Sequence, residues 1–334
     1  MEGLGFEFRQ EAELKTLTND VVNSSAIEGE NLNPDEVRSS IARRLGFDIA
    51  GLKPSSRDVE GIVEMMLDAT QLFSEPLTKE RLLAWHAALF PTGRSGMQRI
   101  IVGNWRTAAT GPMQVISGAV GREKVHFEAP DATTLEHEMS LFFEWFNNKT
   151  DDDPVIKAGI AHLWFVTLHP FEDGNGRIAR AIGDMALARA DNSPDRFYSL
   201  SMQIETERKD YYRQLERQQR GGLDITDWLS WFLDCLGRAI SQTEYTLSRV
   251  IYKAKLWEMI RRFLINDRQQ LVIARMLDDS FIGHMNTSKY ATIAKCSNDT
   301  ALRDIQELRQ WDIFIQNPGG GRSTSYRLPD LVGH

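Results

Sequence analysis

Residues 169–180 read His169-Pro170-Phe171-Glu172-Asp173-Gly174-Asn175-Gly176-Arg177-Ile178-Ala179-Arg180. Apolar residues recur every three or four positions on both sides of this segment, which predicts one helix over about 154–168 and another over about 176–190. Asp153 and Pro154 suit the N-cap and first turn of the first helix. The Gly-Asn-Gly sequence therefore places free backbone N–H groups at the start of the second helix, where the helix dipole favours an anion.

The charged residues of this segment are those that phosphate chemistry needs. Arg177 and Arg180 are three positions apart, so they share a helix face and can bind two phosphates of one ligand. Asp173 offers a carboxylate oxygen, which Mg²⁺ prefers, and His169 can accept a proton near neutral pH. A plain turn with two solvated arginines explains any one of these residues, but not the whole set.

The segment resembles the signature of Fic domains, His-x-Phe-x-(Asp/Glu)-Gly-Asn-Gly-Arg-x-x-Arg, at every specified position. The resemblance extends over roughly residues 10–250. It implies a protein adenylyltransferase that moves AMP from ATP, with Mg²⁺, onto a Ser, Thr or Tyr hydroxyl of a protein, and it makes His169 the expected catalytic base. The residues expected to bind the nucleotide are Asp173, Gly174, Asn175, Gly176, Arg177 and Arg180 and, by the resemblance alone, Tyr212 and Gln219.

A second motif lies near the N-terminus, where residues 24–29 read Ser-Ser-Ala-Ile-Glu-Gly. It resembles the inhibitory motif of the family, (Ser/Thr)-x-x-x-Glu-(Gly/Asn), and so assigns Ser24, Glu28 and Gly29 to autoinhibition. A Glu28 carboxylate on Arg180 would take the place of the γ-phosphate of ATP. Two alternatives stay open: Glu28 activates water to remove AMP from a modified protein, or the donor carries UMP or phosphocholine, as in some relatives.

Residues 96–130 are rich in glycine and β-branched residues and lack a helical repeat. Residues 113–118 and 124–127 read as two short strands joined by a glycine-rich turn, although a solvated loop is the alternative. This hairpin resembles the flap of the family, which positions the target by main-chain pairing. The flap residues expected to face the target are Met113, Val115, Lys124, Val125, His126 and Phe127.

The last 70 residues predict a separate domain. Helical patterns over 268–277, 288–295 and 300–309 precede two short strands that flank Asn317-Pro318-Gly319-Gly320-Gly321, an order that resembles a winged helix-turn-helix. Residues 266–334 contain eight Lys/Arg and eight Asp/Glu, so the formal charge of this domain is zero. Because DNA-reading domains usually carry a basic face, we favour target recruitment or self-association over DNA binding.

Together these patterns predict a mainly α protein: a Fic-type helical bundle with a β-hairpin flap and a small C-terminal winged helix-turn-helix. The expected domains are an N-terminal helical region with the inhibitory motif over 1–90, the catalytic domain over 91–250, and a linker helix with the winged helix over 251–334.

Composition limits the partners. The chain of 334 residues has a net charge of -8, which gives no general attraction to nucleic acid or anionic membranes. Cys235 and Cys296 are too few for a disulfide framework, and the acidic N-terminus does not resemble a signal peptide. We therefore expect a cytoplasmic protein without a membrane partner. Its expected partner is a target protein or a copy of itself, and the resemblance implies a homodimer.

Overall fold

The structure is a computed structural model that describes residues 6–47, 51–117, 122, 124–149, 151–278, 281–318 and 324–330. It separates into two compact units, Met1–Thr243 and Glu244–His334. The helices that begin in the first unit are α1 (Phe6–Ile27), α2 (Pro34–Leu45), α3 (Arg57–Gln71), α4 (Lys79–Leu89), α5 (Leu135–Asn147), α6 (Pro154–Leu168), α7 (Asn175–Asp191), α8 (Leu200–Thr206), α9 (Arg208–Gln219) and α10 (Thr226–Ile260). The second unit adds α11 (Asp267–Met276), α12 (Thr287–Ala294) and α13 (Asn298–Gln310).

The described strands form three antiparallel pairs. They are β1 (Arg94–Ser95) with β2 (Gln98–Arg99), β3 (Gln114–Ser117) with β4 (Lys124–Glu128), and β5 (Ile315–Gln316) with β6 (Tyr326–Arg327). The β3–β4 pair is the hairpin predicted as the flap. The turn glycines of this hairpin, Gly118 and Gly121, lie outside the described residues. So do Gly319–Gly321, between β5 and β6. Among the described residues, no helix combines the length and apolar character needed to cross a membrane.

The mainly helical prediction is confirmed, and two local differences have simple causes. The apolar patterns over 224–247 and 250–265 favour two helices, but α10 continues across the break between them to Ile260, because Ser248 and Arg249 do not break a helix. Helix α8 was not predicted, since its seven residues are too few to show a periodic pattern. The side chain of Ser199 caps it by accepting a hydrogen bond from Met202 N.

The core of the first unit is built around α7. This helix packs against α1, α3 and α6, and Ile178, Ile182 and Met185 are completely buried. Helix α6 begins as predicted, with Asp153 as N-cap and Pro154 in the first turn. The end of α6 and the start of α7 are therefore fixed by packing, and the segment between them is held at both ends.

The second unit has its own core, to which α10 contributes Leu256 and Ile260. Asp304 of α13 is buried there and accepts hydrogen bonds from Arg268 Nε at 2.9 Å and from the Tyr290 hydroxyl at 3.2 Å. Met285 pairs with Tyr326 beside the β5–β6 strands. The order of these elements is the one expected, and the assignment as a winged helix stays a prediction.

Two buried carboxylates lie between α1 and α7. Asp20 accepts a hydrogen bond from Ser199 Oγ at 2.6 Å, and Asp184 accepts one from Arg196 Nη1 at 2.8 Å. Arg196 Nη2 lies 3.8 Å from Asp20 Oδ2. Burial, and then the neighbouring Asp184 carboxylate, raise the pKa of Asp20 to about 7. One guanidinium is therefore shared by two buried carboxylates. When both are ionised, their mutual repulsion weakens this part of the contact between α1 and α7.

We expect Asp20→Asn to stabilise the protein at alkaline pH. The raised pKa means that the folded state holds a proton that the unfolded state has released, so Asp20 lowers stability as pH rises from about 4 to about 7. The amide removes this loss and keeps the acceptor for Ser199. The free energy of unfolding from urea titration should rise by about 1–3 kcal/mol at pH 8 and change little at pH 4. The exposed Asp152→Asn is the matched control; a variant less stable than wild type at pH 8 would contradict this account.

Candidate active site

His169 ends α6 in a left-handed conformation, with φ 48°. Its Nδ1 lies 3.2 Å from Val166 O, and because a carbonyl can only accept, Nδ1 carries the hydrogen. The other nitrogen, Nε2, is then unprotonated and can accept a proton. Burial lowers the pKa of His169 to about 4. The imidazole is therefore neutral at pH 7, in the tautomer that a general base requires.

The loop after His169 is closed by Asn175. The Asn175 side chain accepts a hydrogen bond from Phe171 N at 3.0 Å and donates one to Phe171 O at 2.9 Å. It is almost fully buried. The amide therefore fixes the backbone of the loop, and its expected contact with phosphate stays a prediction.

The start of α7 presents free donors. The first backbone hydrogen bond of this helix is donated by Ile178 N to Gly174 O, at 3.0 Å. The N–H groups of residues 175–177 consequently have no partner inside the helix, which makes this terminus an anion site. Gly174 is needed here because its φ is +83° and a Cβ would lie 2.9 Å from the Phe90 ring.

Arg180 is buried and its guanidinium is held by the predicted inhibitory motif. Its Nε donates to Ser24 Oγ at 2.9 Å, and its Nη2 donates to Ser24 O and Glu28 Oε1, both at 2.8 Å. A Cβ on Gly176 would lie only 2.0 Å from Glu28 Oε1. The Glu28 carboxylate therefore lies directly against the N-terminus of α7, where a phosphate would bind.

Arg177 is paired with a second carboxylate, that of Glu30. Its Nη1 donates to Glu30 Oε2 at 2.7 Å, and its guanidinium lies over the Phe90 ring, 5.0 Å from the centroid. Burial raises the pKa of Glu30 while the Arg177 charge opposes that shift. No pattern in the sequence predicts a role for Glu30.

The two residues expected from the resemblance to line the nucleotide pocket lie close to these groups. The Tyr212 hydroxyl is 3.0 Å from Ile27 O and 3.3 Å from Glu28 Oε2. Gln219 Nε2 donates to Val166 O at 3.5 Å, the same carbonyl that orients His169. Helix α9 therefore brings both side chains to the site, although their contact with a nucleotide stays a prediction.

The flap is fastened to α9 through side chains of β4. His126 Nδ1 lies 2.8 Å from Glu216 Oε2, and Lys124 Nζ lies 3.1 Å from Glu216 Oε1. Arg220 Nε donates to His126 O at 2.7 Å. Val115 pairs with Phe127 in the hairpin, and Phe127 is buried. Ala129 N donates to Met113 O at 2.9 Å, and Val125 is exposed.

Two residues that the sequence analysis missed hold the loop from outside. Arg106 donates from Nε to His169 O at 2.7 Å and from Nη2 to Pro130 O at 2.6 Å. His86 stacks on Phe171 with ring centroids 4.0 Å apart. No sequence signal distinguishes His86 from any other histidine on an apolar helix, since its partners are far away in the chain.

The tautomer of His86 follows from its neighbours. Its Nδ1 accepts a hydrogen bond from Gly103 N at 3.2 Å, so Nε2 carries the hydrogen and donates to Asp173 O at 3.3 Å. Burial lowers the pKa of His86 to about 4. This neutral ring orients the backbone of Asp173.

Of the two carboxylates in the loop, that of Asp173 is the one expected to bind a metal ion. Its Oδ1 accepts from Gly174 N at 2.6 Å, and its Oδ2 accepts from Ser95 Oγ. Within the described ranges, no group of three or more His, Cys, Asp or Glu side chains could hold a metal ion by itself. One oriented carboxylate fits Mg²⁺ that is bound together with phosphates, since Mg²⁺ in such sites takes most ligands from phosphate and water.

Comparison with known families agrees with this geometry. The model of the Fic/DOC family matches residues 76–187, which include the whole of the 169–180 segment. Residues 76–187 of this protein form a Fic domain. A domain of unknown function (DUF4172) also matches residues 1–47, the part that contains the Ser24–Gly29 motif.

Curated relatives of this chain include two proteins named protein adenylyltransferase. The one from Nematostella vectensis is 32% identical over 125 residues, which are 37% of this chain and 27% of that protein. The one from Caenorhabditis elegans is 27% identical over 205 residues, which are 61% of this chain and 37% of that protein. The chain therefore matches well under half the length of either relative.

Two solved structures show the same fold at low sequence identity. A Fic family protein from Desulfovibrio desulfuricans has a TM-score of 0.51 and 20% identity, with 100% of this chain and 91% of that chain covered. A Fic domain containing signaling protein from Bacteroides thetaiotaomicron has a TM-score of 0.54 and 19% identity, with 72% and 91% covered. The expected Fic-type helical fold is confirmed.

We expect His86→Ala to destabilise the protein, because it removes the ring stacked on Phe171 and leaves Gly103 N without its acceptor. The free energy of unfolding at pH 7.5, measured by urea titration, should fall by about 2–4 kcal/mol. His137 is exposed on α5, so His137→Ala is the matched control and should change stability by less than about 0.5 kcal/mol. Equal losses in the two variants would show that His86 does not support the loop.

Proposed function

We propose that this Fic protein transfers AMP from ATP to a hydroxyl group of a target protein and that Glu28 restrains the reaction. The observation that carries the proposal is the neutral His169 beside a helix terminus whose buried Arg180 already binds a carboxylate. The names of the two curated relatives support the same reaction.

The phosphates of ATP would bind at the start of α7. The N–H groups of residues 175–177 supply hydrogen bonds, and the positive end of the helix dipole adds to their attraction. Arg177 and Arg180 would bind the outer phosphates, since both guanidiniums already hold carboxylates at 2.7–2.8 Å. Asp173 would hold Mg²⁺, which would supply positive charge against the charge that develops on pyrophosphate.

His169 is suited to start the transfer. The attacking hydroxyl gives its proton to His169 Nε2 as its oxygen bonds to the α-phosphorus, and the bond from that phosphorus to the bridging oxygen breaks, releasing pyrophosphate. The hydrogen bond from Nδ1 to Val166 O keeps the ring in the required tautomer. Catalysis then rests on positioning and on the fixed positive groups at α7.

The target would be presented by the flap. Strands β3 and β4 form an exposed hairpin that is fastened to α9 by Glu216 and Arg220. An extended target segment can add to such a hairpin through main-chain hydrogen bonds. The hydroxyl to be modified would then face His169.

Glu28 would restrain transfer by occupying the anion site. Its carboxylate and a phosphate cannot share the space against Gly176, and both carry negative charge. ATP would therefore bind with its outer phosphates displaced, which moves the α-phosphorus out of line with the hydroxyl. The motif acts without changing any residue of the catalytic loop.

The first test uses ATP labelled on the α-phosphate. We expect Glu28→Gly to incorporate label about tenfold to a hundredfold faster than wild type, the equivalent of one or two charge-assisted hydrogen bonds. His169→Ala in the Glu28→Gly background should reduce the rate at least about a hundredfold. The readout is labelled protein, either the chain itself or an added protein mixture, after denaturing electrophoresis.

The control for charge removal is Glu11→Gln, an exposed glutamate of α1 that pairs with Arg38 away from the site. It should label at the wild-type rate. If wild type instead removes AMP from a labelled protein and Glu28→Gly does not, the reaction runs in reverse and Glu28 is catalytic.

The pH dependence of labelling tests the role of His169. Since burial lowers the pKa of its imidazole to about 4, the base stays neutral until the pH falls through that value. The initial rate of the Glu28→Gly variant at saturating Mg²⁺ and ATP should therefore be nearly flat from pH 8 to pH 5.5. Circular dichroism at each pH controls for unfolding. An acid limb centred near pH 6.5 would assign the titration to an unburied histidine.

A further inference from the structure

Glu30 lies two residues beyond the inhibitory glutamate and contacts the other arginine of the signature. Its Oε2 accepts a hydrogen bond from Arg177 Nη1 at 2.7 Å. The Arg177 side chain is 5% exposed and that of Glu30 is 47% exposed. The pair therefore joins a buried cation of the catalytic loop to an acid at the protein surface.

The backbone turn after α1 places both Glu28 and Glu30 beside the start of α7. Gly29 has φ +85°, a conformation that glycine adopts without strain. Glu30 N donates to Ser25 O at 3.0 Å, and Gly29 N donates to Ala26 O at 2.9 Å, so the turn is closed by hydrogen bonds. This turn directs Glu28 to Arg180 and Glu30 to Arg177 at the start of one helix.

Neighbouring carboxylates weaken the pairing of Glu30 with Arg177. Asp173, Glu28 and Asp58 all lie near enough to repel its carboxylate, and Arg177 is its attractive partner. The ring of Phe90 holds the Arg177 guanidinium in place independently of Glu30. Arg177 is therefore preorganised for an anion and is occupied by a weakly held one.

We propose that Glu30 is a second affinity-determining residue of the nucleotide site, which competes with a phosphate of the nucleotide for Arg177. The inference rests on the proposed function. It means that removing Glu28 frees only Arg180, and that the site reaches its full affinity for the phosphate chain only when Glu30 is removed or displaced as well.

The proposal separates phosphate binding from binding of the nucleoside. A carboxylate on Arg177 competes with phosphate oxygens but not with adenosine, which has none. Removing the Glu30 charge should therefore raise affinity for ATP and for inorganic triphosphate, and leave affinity for adenosine unchanged. A general loosening of the site would change all three.

The experiment measures binding by isothermal titration calorimetry in the His169→Ala/Glu28→Gly background, in which ATP is not consumed. Adding Glu30→Gln should lower the Kd for ATP and for triphosphate about two- to tenfold, the range of a partly exposed ion pair. Adding Glu11→Gln instead, which removes the same charge from another ion pair of α1, should leave both constants unchanged. Glu30→Ala gives a second variant, and thermal unfolding confirms that each protein is folded.

An unchanged Kd for ATP in both Glu30 variants would overturn the inference, and so would an equal change for adenosine. Failure of the proposed function is recognised separately. In that case the background protein binds no ATP, or the Glu28→Gly variant with His169 intact transfers no label. ATP binding and transfer without an effect of Glu30 would overturn only the inference.

Discussion

Arg180 is a buried cation at the start of a buried helix, and the site is arranged around its need for an anionic partner. A guanidinium without a counter-charge in the core would cost several kcal/mol. Ser24 and Glu28 meet that need from a helix more than 150 positions earlier in the chain. A nucleotide phosphate would meet it equally well. The same physical requirement therefore accounts for the contact between Arg180 and Glu28 and for the proposed binding of ATP.

The catalytic loop is held by its backbone rather than by its charged side chains. Asn175 binds both polar groups of Phe171, Arg106 binds the carbonyl of His169, and His86 binds that of Asp173. These contacts leave His169 Nε2, the N–H groups of α7 and the Asp173 carboxylate in fixed positions. A site that works mainly by positioning benefits from such rigidity, because little reorganisation is then needed during the reaction.

The contact between α1 and the catalytic helix combines strong and weak electrostatic pairs. Glu28 on the fully buried Arg180 is strong, whereas Glu30 on Arg177 is partly exposed. Asp20 and Asp184 share one arginine, so their mutual repulsion opposes the attraction at Arg180. Helix α1 and the turn after it are thus attached to α7 firmly at one point and loosely at others, which suits the proposed displacement of Glu28 by a ligand.

The sequence by itself determined the helical class, the helix–loop–helix at 154–190, the hairpin at 113–127 and the residues of both motifs. Each of these depends on local spacing, capping and turn chemistry, which a short segment carries alone. It did not reveal Arg106, His86, Glu30 or the Asp20–Asp184 pair, nor that the Asn175 side chain binds the backbone of Phe171. Only the tertiary structure decided these points, because a carbonyl that needs a donor or a charge that needs a partner finds it in whichever distant segment packs beside it.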